Sequence, residues 1–233
     1  MRLAIDYEMS SEYLPKDYRS GFMALIKKAM ETANPLLYEQ YYSRHKLKPF
    51  TFSTFFRGLK GSEDGKFNIG KDVRLNLSTS SLELATYLYN GFYKTRSFPL
   101  FDNTLELKHI SLRRSEQIRS SGVIFKTASP VLVNNLGDSG RYLLPGEEGF
   151  TEGLRFAVTE VVRAFLNWQG EVPLEFEKIT VKRRVISHYQ QSMSAFIGMF
   201  KLKSNPTILQ LIYDVGLGVR RSQGFGMLEV MKQ

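Results

Sequence analysis

The sequence predicts an α+β protein in which one pattern of strands and helices occurs twice. Apolar residues alternate over several short segments, which is typical of half-buried strands, and recur every three to four residues over longer ones, which is typical of amphipathic helices. The order strand–helix–strand–strand–helix–strand occurs first in residues 1–117 and again in residues 118–233. We therefore expect two domains with these bounds.

The first unit contains every element of this pattern. Leu3, Ile5 and Tyr7 alternate on one face of its first strand. Asn34-Pro35 ends its first helix, and Ser80-Ser81-Leu82-Glu83 has the spacing of a capping box that starts its last helix. The predicted elements are a strand over residues 2–9, a helix from about residue 14, a helical turn over 36–43, strands over 49–55 and 67–77, a helix from 82 to about 93, and a strand over 104–112.

The second unit repeats the order and holds the clearest helical stripe, which begins at Leu154 and ends at Leu166. Asn205-Pro206 provides a cap and a first residue for its second helix. The predicted elements are a strand over residues 122–133 broken at Pro130, the helix over 154–166, a hairpin of strands over 174–187 and 192–202, a helix from 206 to about 215, and a strand over 227–231. Each unit is thus predicted to be ferredoxin-like, resembling an RNA-recognition motif, with an antiparallel sheet and its helices on one face.

The charge of the chain favours a polyanionic partner. Lys and Arg number 32 against 23 Asp and Glu, which gives a net charge of +9. Nucleic acid is the expected partner, and a merely solvated basic surface is the alternative. We expect no membrane association, because no apolar run approaches the ~20 residues of a membrane span. The chain has no cysteine, which excludes thiol catalysis and cysteine-ligated zinc and fits a cytoplasmic protein.

A glycine-rich segment over residues 216–226 is the most specific motif. Glycine allows positive φ and a close backbone approach, consecutive N–H groups can bind an anion, and arginine offers a planar fork for phosphate. The segment lacks the Gly-Lys-Ser/Thr ending of a nucleotide-binding P-loop. We expect this loop to hold an RNA phosphate backbone through Gly216, Gly218, Arg220, Arg221, Gly224 and Gly226.

Other segments allow two interpretations. Lys182, Arg183 and Arg184 could follow an RNA backbone or form a solvated strand edge, and the same holds for Arg113-Arg114. The aromatic side chains in residues 50–56 could stack on bases, but we expect them to be core. These aromatic side chains are Phe50, Phe52, Phe55 and Phe56.

The chain resembles the repeat-associated RNA-binding proteins of CRISPR systems, and among them the Cas-six endoribonuclease family, which cuts the CRISPR precursor transcript within its repeats. The resemblance rests on the glycine-rich segment, on Tyr13-Leu14-Pro15-Lys16-Asp17-Tyr18-Arg19 and on Lys48-Pro49-Phe50-Thr51-Phe52-Ser53. With the doubled fold it covers essentially the whole chain. It implies CRISPR repeat RNA as the partner, allows other CRISPR-associated effector subunits, and is compatible with a monomer or a homodimer.

The resemblance also indicates candidate catalytic residues. In that family a histidine ahead of the second strand usually takes part in cleavage, often with a nearby tyrosine or lysine. Here the histidine is His45, and Tyr38, Tyr42 and Lys48 are the candidate partners. Because the family's histidine tends to lie farther ahead of the strand, the choice of partners stays open, and Tyr41 is also considered.

These residue types suit RNA cleavage without a metal. The 2′-hydroxyl attacks the phosphate, so the reaction needs a base, an acid for the departing 5′-oxygen, and positive charge. The cations Arg44 and Lys46 should favour a neutral His45 imidazole, which suits a base. No cluster of histidines and carboxylates has ligand spacing, so we expect neither a metal nor another cofactor.

Two alternatives remain open from sequence. One is a non-catalytic relative that only holds repeat RNA. The other is an unrelated tandem ferredoxin-like protein that binds nucleotides or acts as a scaffold, although the glycine–arginine loop argues against it. We expect His109 and His188 to be structural or surface residues.

Overall fold

The computed structural model describes residues 1–43, 46–63, 65–138, 140–189 and 191–233. The first half of the chain forms β1 (Arg2–Met9), β2 (Tyr13–Pro15), α1 (Arg19–Ala33), α2 (Pro35–Tyr42), β3 (Phe50–Phe56), β4 (Gly61–Glu63), β5 (Lys66–Asn68), β6 (Asp72–Thr79), α3 (Leu82–Lys94), β7 (Ser97–Leu100) and β8 (Asn103–Arg113). The second half forms β9 (Gly122–Thr127), α4 (Phe150–Leu166), β10 (Glu175–His188), β11 (Gln191–Lys203), α5 (Pro206–Val215) and β12 (Leu228–Lys232).

Both large sheets have the ferredoxin-like strand order. The first sheet runs β3-β6-β1-β8-β7 and the second runs β10-β11-β9-β12, with antiparallel pairing throughout. If the four principal strands of each half are numbered along the chain, both sheets read 2-3-1-4. The predicted α+β fold with two ferredoxin-like units is therefore confirmed. The connection between the sheets, residues 114–121, contains the proposed boundary between domains 1–117 and 118–233.

Each half has its own hydrophobic core. In β1, Leu3, Ile5 and Tyr7 point into one cluster with α1 and α3, and the register sets Ile5 opposite Leu75 of β6. In the second half, the apolar stripe of α4 packs with α5 and the sheet around Phe196. The alternating and helical patterns read from the sequence thus produce both cores.

Several predicted boundaries are wrong. The predicted strand over residues 67–77 is two strands, β5 and β6, because the backbone turns at Gly70 with φ +70°. The first helix begins at Arg19 rather than near residue 14, since Tyr13–Pro15 pairs with β5. The N-cap of α3 is Ser81, whose hydroxyl accepts from the Leu84 N–H, so Glu83 is not its capping-box partner.

The strand predicted over residues 122–133 ends at Thr127. Short elements escaped prediction: β4 and β7 have three and four residues, too few to display an alternating pattern. Within the ranges that the structure describes, none of the helices is both long and apolar enough to span a membrane.

Candidate functional site

The glycine-rich loop, residues 216–226, is tightly packed. Its four glycines have φ between +77° and +92°, a region that other residues rarely adopt. A Cβ on Gly218 would overlap the carbonyl oxygen of Leu132, and one on Gly226 would overlap that of Leu217. Glycine is therefore required here by the folded chain itself, whatever ligand the loop also holds.

The same loop joins the two halves of the molecule. The Thr51 hydroxyl on β3 donates to the Phe225 carbonyl at 2.7 Å, and the buried Arg19 Nε donates to the Gly224 carbonyl at 3.4 Å. A Cβ on Gly224 would lie 2.8 Å from the Phe52 ring. These contacts fix the position of the loop against the first sheet.

Two adjacent arginines of the loop have different environments. Arg221 is 5% exposed and donates from Nη1 to the Val215 carbonyl at 3.1 Å. Burial lowers the pKa of Arg221 to about 10, so it stays charged at neutral pH. Arg220 is half-buried at φ +54°, and it donates to the Tyr142 hydroxyl at 2.7 Å and to Gln223 Oε1 at 3.2 Å. Arg221 thus has a clear structural contact, and Arg220 is the better placed of the two for a ligand.

A cavity of about 340 Å³ lies between the halves. Lys46 and Lys48 line it from the first half, and residues 218–223 line it from the second. Gly153, Phe156 and the carboxylate residue Glu160 of α4 are among the other residues that line it. The cavity therefore brings the candidate catalytic residue Lys48 and the candidate RNA-binding residue Arg220 to one place, although they are far apart in sequence.

A tyrosine–lysine cluster adjoins Lys48. The rings of Tyr38 and Tyr42 are stacked with centroids 5.0 Å apart, and the Nζ atoms of Lys48 and Lys27 lie 4.6 Å and 5.1 Å from the Tyr42 ring centroid. Burial raises the pKa of Tyr42, with smaller contributions from Tyr38 and Tyr189. Burial and the nearby Lys27 lower the pKa of Lys48. Tyr42 is thus a neutral hydrogen-bonding group, and Lys48 is a stronger proton donor than an exposed lysine.

His45, the candidate catalytic histidine, lies outside the described residues, as does Arg44. Its role stays a prediction. Among the described residues, no group of three or more histidines and carboxylates is arranged to hold a metal ion.

The second predicted RNA-binding segment is separate from the cavity. Lys182, Arg183 and Arg184 are exposed on β10, an edge strand of the second sheet, and the Arg183 Nη2 donates to Ser194 Oγ at 3.1 Å. Within the described part of the chain, they are not among the residues that line the cavity. Exposure fits either interpretation of this segment.

The remaining predicted residues divide between core and surface. Phe50 and Phe52 are buried as expected, whereas Phe55 is 56% exposed. Arg113 and Arg114 are exposed beside a smaller polar cavity that includes the buried Arg2.

One polar cluster beside the glycine-rich loop was not predicted from the sequence. His188 is completely buried and contacts Asp17 and Gln223, and Gln223 in turn contacts Arg220. Asp17 and His188 are 171 residues apart, so no local motif could have indicated the pair.

Comparisons with known proteins agree with the fold. The family model "CRISPR associated protein Cas6, C-terminal" matches residues 113–230, just over half of the chain. A curated relative, "CRISPR-associated endoribonuclease Cas6" of Pyrococcus furiosus, is 26% identical over 223 residues, which cover 93% of this chain and 83% of that protein.

Solved structures have the same architecture along the whole chain. One described as "Characterization of a Cas6-related gene from Pyrococcus furiosus" has a TM-score of 0.88 at 21% identity and covers 100% of this chain and 99% of its own. Another, "An RAMP protein binding different RNA substrates", has a TM-score of 0.85 at 20% identity, with both chains covered completely. The resemblance noted from the sequence is therefore confirmed, and the chain belongs to the CRISPR-associated Cas6 family.

Proposed function

We propose that this chain processes CRISPR repeat RNA, binding the repeat and cleaving it without a metal ion. Family membership supports the coarser part, since the curated relative is named as a CRISPR-associated endoribonuclease. A related structure is described as binding different RNA substrates, which supports RNA as the ligand. The chain's net charge of +9 suits a polyanion.

The cavity between the halves is the observation that carries the proposal. It has Lys46 and Lys48 on one wall and Arg220 on the other, and the Tyr38–Tyr42 stack adjoins it. A phosphodiester bound between these walls would have cations on two sides. The lysine wall would stabilise the additional negative charge that develops on the phosphoryl oxygens during attack. Arg220 would hold the phosphate equally in the ground state and in the transition state, so it would add affinity rather than rate.

The proposed reaction is transesterification. A base removes the proton of the 2′-hydroxyl, the 2′-oxygen forms a bond to phosphorus, and the bond from phosphorus to the 5′-oxygen breaks as an acid protonates that oxygen. The products are a 2′,3′-cyclic phosphate and a 5′-hydroxyl, and ring opening can convert the former to a 3′-phosphate. His45 is the proposed histidine in this proton transfer, because it is three residues from both Tyr42 and Lys48 in sequence.

Lys48 and the tyrosines would support that chemistry. The lowered pKa of Lys48 makes its ammonium a better donor to the phosphorane or to the leaving oxygen. The raised pKa of Tyr42 keeps its hydroxyl protonated, so it can donate a hydrogen bond but is a poor base. Tyr38 supports Tyr42 through their stacked rings.

The binding role belongs to the other wall. Arg220 would contact phosphate, while Gly216, Gly218, Gly224 and Gly226 fix the loop that carries it. Lys182, Arg183 and Arg184 would extend the contact along the RNA backbone from the exposed face of β10.

Incubation with repeat RNA in excess EDTA tests this function. We expect cleavage that leaves a 5′-hydroxyl, and we expect RNA with a 2′-deoxy nucleotide before the scissile bond to bind without being cut. Binding of both RNAs without cleavage would indicate a non-catalytic relative. Absence of binding would overturn the proposed function, and cleavage of the deoxy substrate would indicate attack by water.

A further inference from the structure

A polar chain connects the first half of the molecule to Arg220. Asp17, just before α1, contacts the ring of His188 at the end of β10, with 2.8 Å between Asp17 Oδ1 and His188 Nδ1. The other ring nitrogen, Nε2, lies 3.1 Å from Gln223 Oε1. Arg220 Nη1 donates to the same oxygen at 3.2 Å. The His188 side chain has no exposed surface.

Arg220 determines the orientation of the side-chain amide of Gln223. A guanidinium has only donors, so the Gln223 group that faces Arg220 must be its carbonyl oxygen. The same oxygen faces His188 Nε2, and an oxygen acceptor there requires a proton on that nitrogen. Nε2 is therefore a donor.

The carboxylate determines the other ring nitrogen. Asp17 Oδ2 already accepts from the backbone N–H of Tyr189 at 2.8 Å, and Oδ1 faces His188 Nδ1. Two unprotonated acceptors 2.8 Å apart would repel each other, so a proton lies between Oδ1 and Nδ1. A carboxylic acid is ordinarily a stronger acid than an imidazolium, so we place that proton on the ring. Nδ1 is then a donor as well.

We propose that His188 is a doubly protonated positioning residue that holds Arg220 at the cavity through Gln223. The buried imidazolium has the Asp17 carboxylate as its counter-charge and uses both N–H donors, which offsets the cost of burying it. The ring packs against Phe225 with centroids 5.5 Å apart, so it is also anchored to the glycine-rich loop.

The consequence for Arg220 is a fixed direction. This residue has φ +54°, a conformation that costs energy for a side chain with a Cβ. Its guanidinium donates from Nη1 to Gln223 Oε1 and from Nε to the Tyr142 hydroxyl. The backbone N–H of Gln223 in turn donates to the Arg220 carbonyl at 2.8 Å. Nη2 thus remains available to the cavity within the contacts that the described residues provide. This role in RNA binding rests on the proposed function.

Nitrogen NMR of the ring tests the protonation state without RNA. The chain has three histidines, and the His188 signals are assigned by their loss in His188→Phe, which retains a planar ring. At pH 7 we expect both His188 ring nitrogens at the shift of protonated nitrogens. A single unprotonated nitrogen would overturn the inference.

A double-mutant cycle tests the positioning role. In the otherwise unchanged chain, His188→Phe should weaken binding of repeat RNA by about three- to tenfold, and in an Arg220→Ala background it should have little further effect. Equal losses in both backgrounds would overturn positioning through Arg220. A chain that bound no repeat RNA would instead overturn the proposed function, and the NMR result would still decide the protonation state.

The conservative variant Gln223→Glu gives a separate check should His188→Phe fail to fold. A carboxylate can accept from both His188 and Arg220, so the melting temperature should be retained, whereas Gln223→Met should lower it. A similar loss in both variants would show that His188 Nε2 is not a donor and would overturn the inference.

Discussion

The two walls of the cavity are built in different ways. On the C-terminal wall, the backbone is constrained: the glycine-rich loop has positive φ at four glycines and leaves no space for a Cβ at Gly218 or Gly226. On the N-terminal wall, Lys48 has a lowered pKa and the adjoining Tyr42 a raised one, so side chains there can donate protons or hydrogen bonds, whereas the buried Arg221 of the C-terminal wall stays charged at neutral pH. The difference suggests a division of labour in which one wall positions phosphate and the other wall performs proton transfer.

The largest effect should follow from the N-terminal wall. His45→Ala should slow single-turnover cleavage by about 10²–10⁴-fold, because it removes the proposed proton-transfer group, while the affinity for repeat RNA stays nearly unchanged. The matched control is His109→Ala, since His109 is exposed on β8. Wild-type cleavage by the His45 variant, or an equal loss in the control, would remove His45 from the mechanism.

On the C-terminal wall, a substitution of glycine should lower the free energy of unfolding. Gly218→Ala places a Cβ against the Leu132 carbonyl and should cost several kcal/mol in the free energy of unfolding. Gly170→Ala is the control, because Gly170 has a similar φ of +87° with open space around it, so its cost should be about 1 kcal/mol of backbone strain. Urea unfolding measures both. Equal costs would mean that φ, rather than close approach, requires the glycine.

Gly224→Val should affect both the stability of the fold and the affinity for RNA. Its added side chain would meet the Phe52 ring and separate the loop from the first sheet, so both stability and RNA affinity should fall. A variant that folds and binds repeat RNA normally would show that the loop's contact with β3 does not position the RNA-binding wall.

Alanine variants of the two adjacent arginines should differ in their free energy of unfolding. Arg221→Ala leaves the Val215 carbonyl without this donor and should lower the free energy of unfolding by about 1–3 kcal/mol. Arg220→Ala, on the half-buried neighbour, should cost less stability. If urea unfolding showed the reverse order, Arg220 would be the structural residue of the pair.

The smallest effect is expected at β10. Replacing Lys182, Arg183 and Arg184 with alanine should change the free energy of unfolding by less than about 1 kcal/mol, because all three are exposed. If they follow the RNA backbone, the slope of log affinity against log salt should become shallower by roughly 0.7–0.9 for each phosphate that the variant no longer neutralises. An unchanged slope would identify this segment as a solvated strand edge.

The sequence could predict the fold because each principal strand and helix carries its own periodic pattern. Leu3, Ile5 and Tyr7 mark β1, and Asn205-Pro206 marks the start of α5 where the structure has it. The short strands β4 and β7 carry too few residues for such a pattern. Local signals therefore recovered the repeated architecture but not its additions.

The candidate site was predictable only in part, for a related reason. The glycine-rich loop is visible in composition, but the burial of Arg221 beside the more accessible Arg220 depends on contacts with distant segments. The Thr51–Phe225 hydrogen bond spans 174 residues, and the Asp17–His188 contact spans 171. No pattern within a short window contains such information.

The division of labour is tested most directly by Arg220→Ala, measured for both RNA affinity and the single-turnover cleavage rate at saturating protein. We predict weaker binding, a salt slope shallower by about 0.7–0.9 because one phosphate is no longer neutralised, and a nearly unchanged saturated rate. An unchanged affinity and salt slope together with a large fall in the saturated rate would contradict it, because Arg220 would then act in the chemical step.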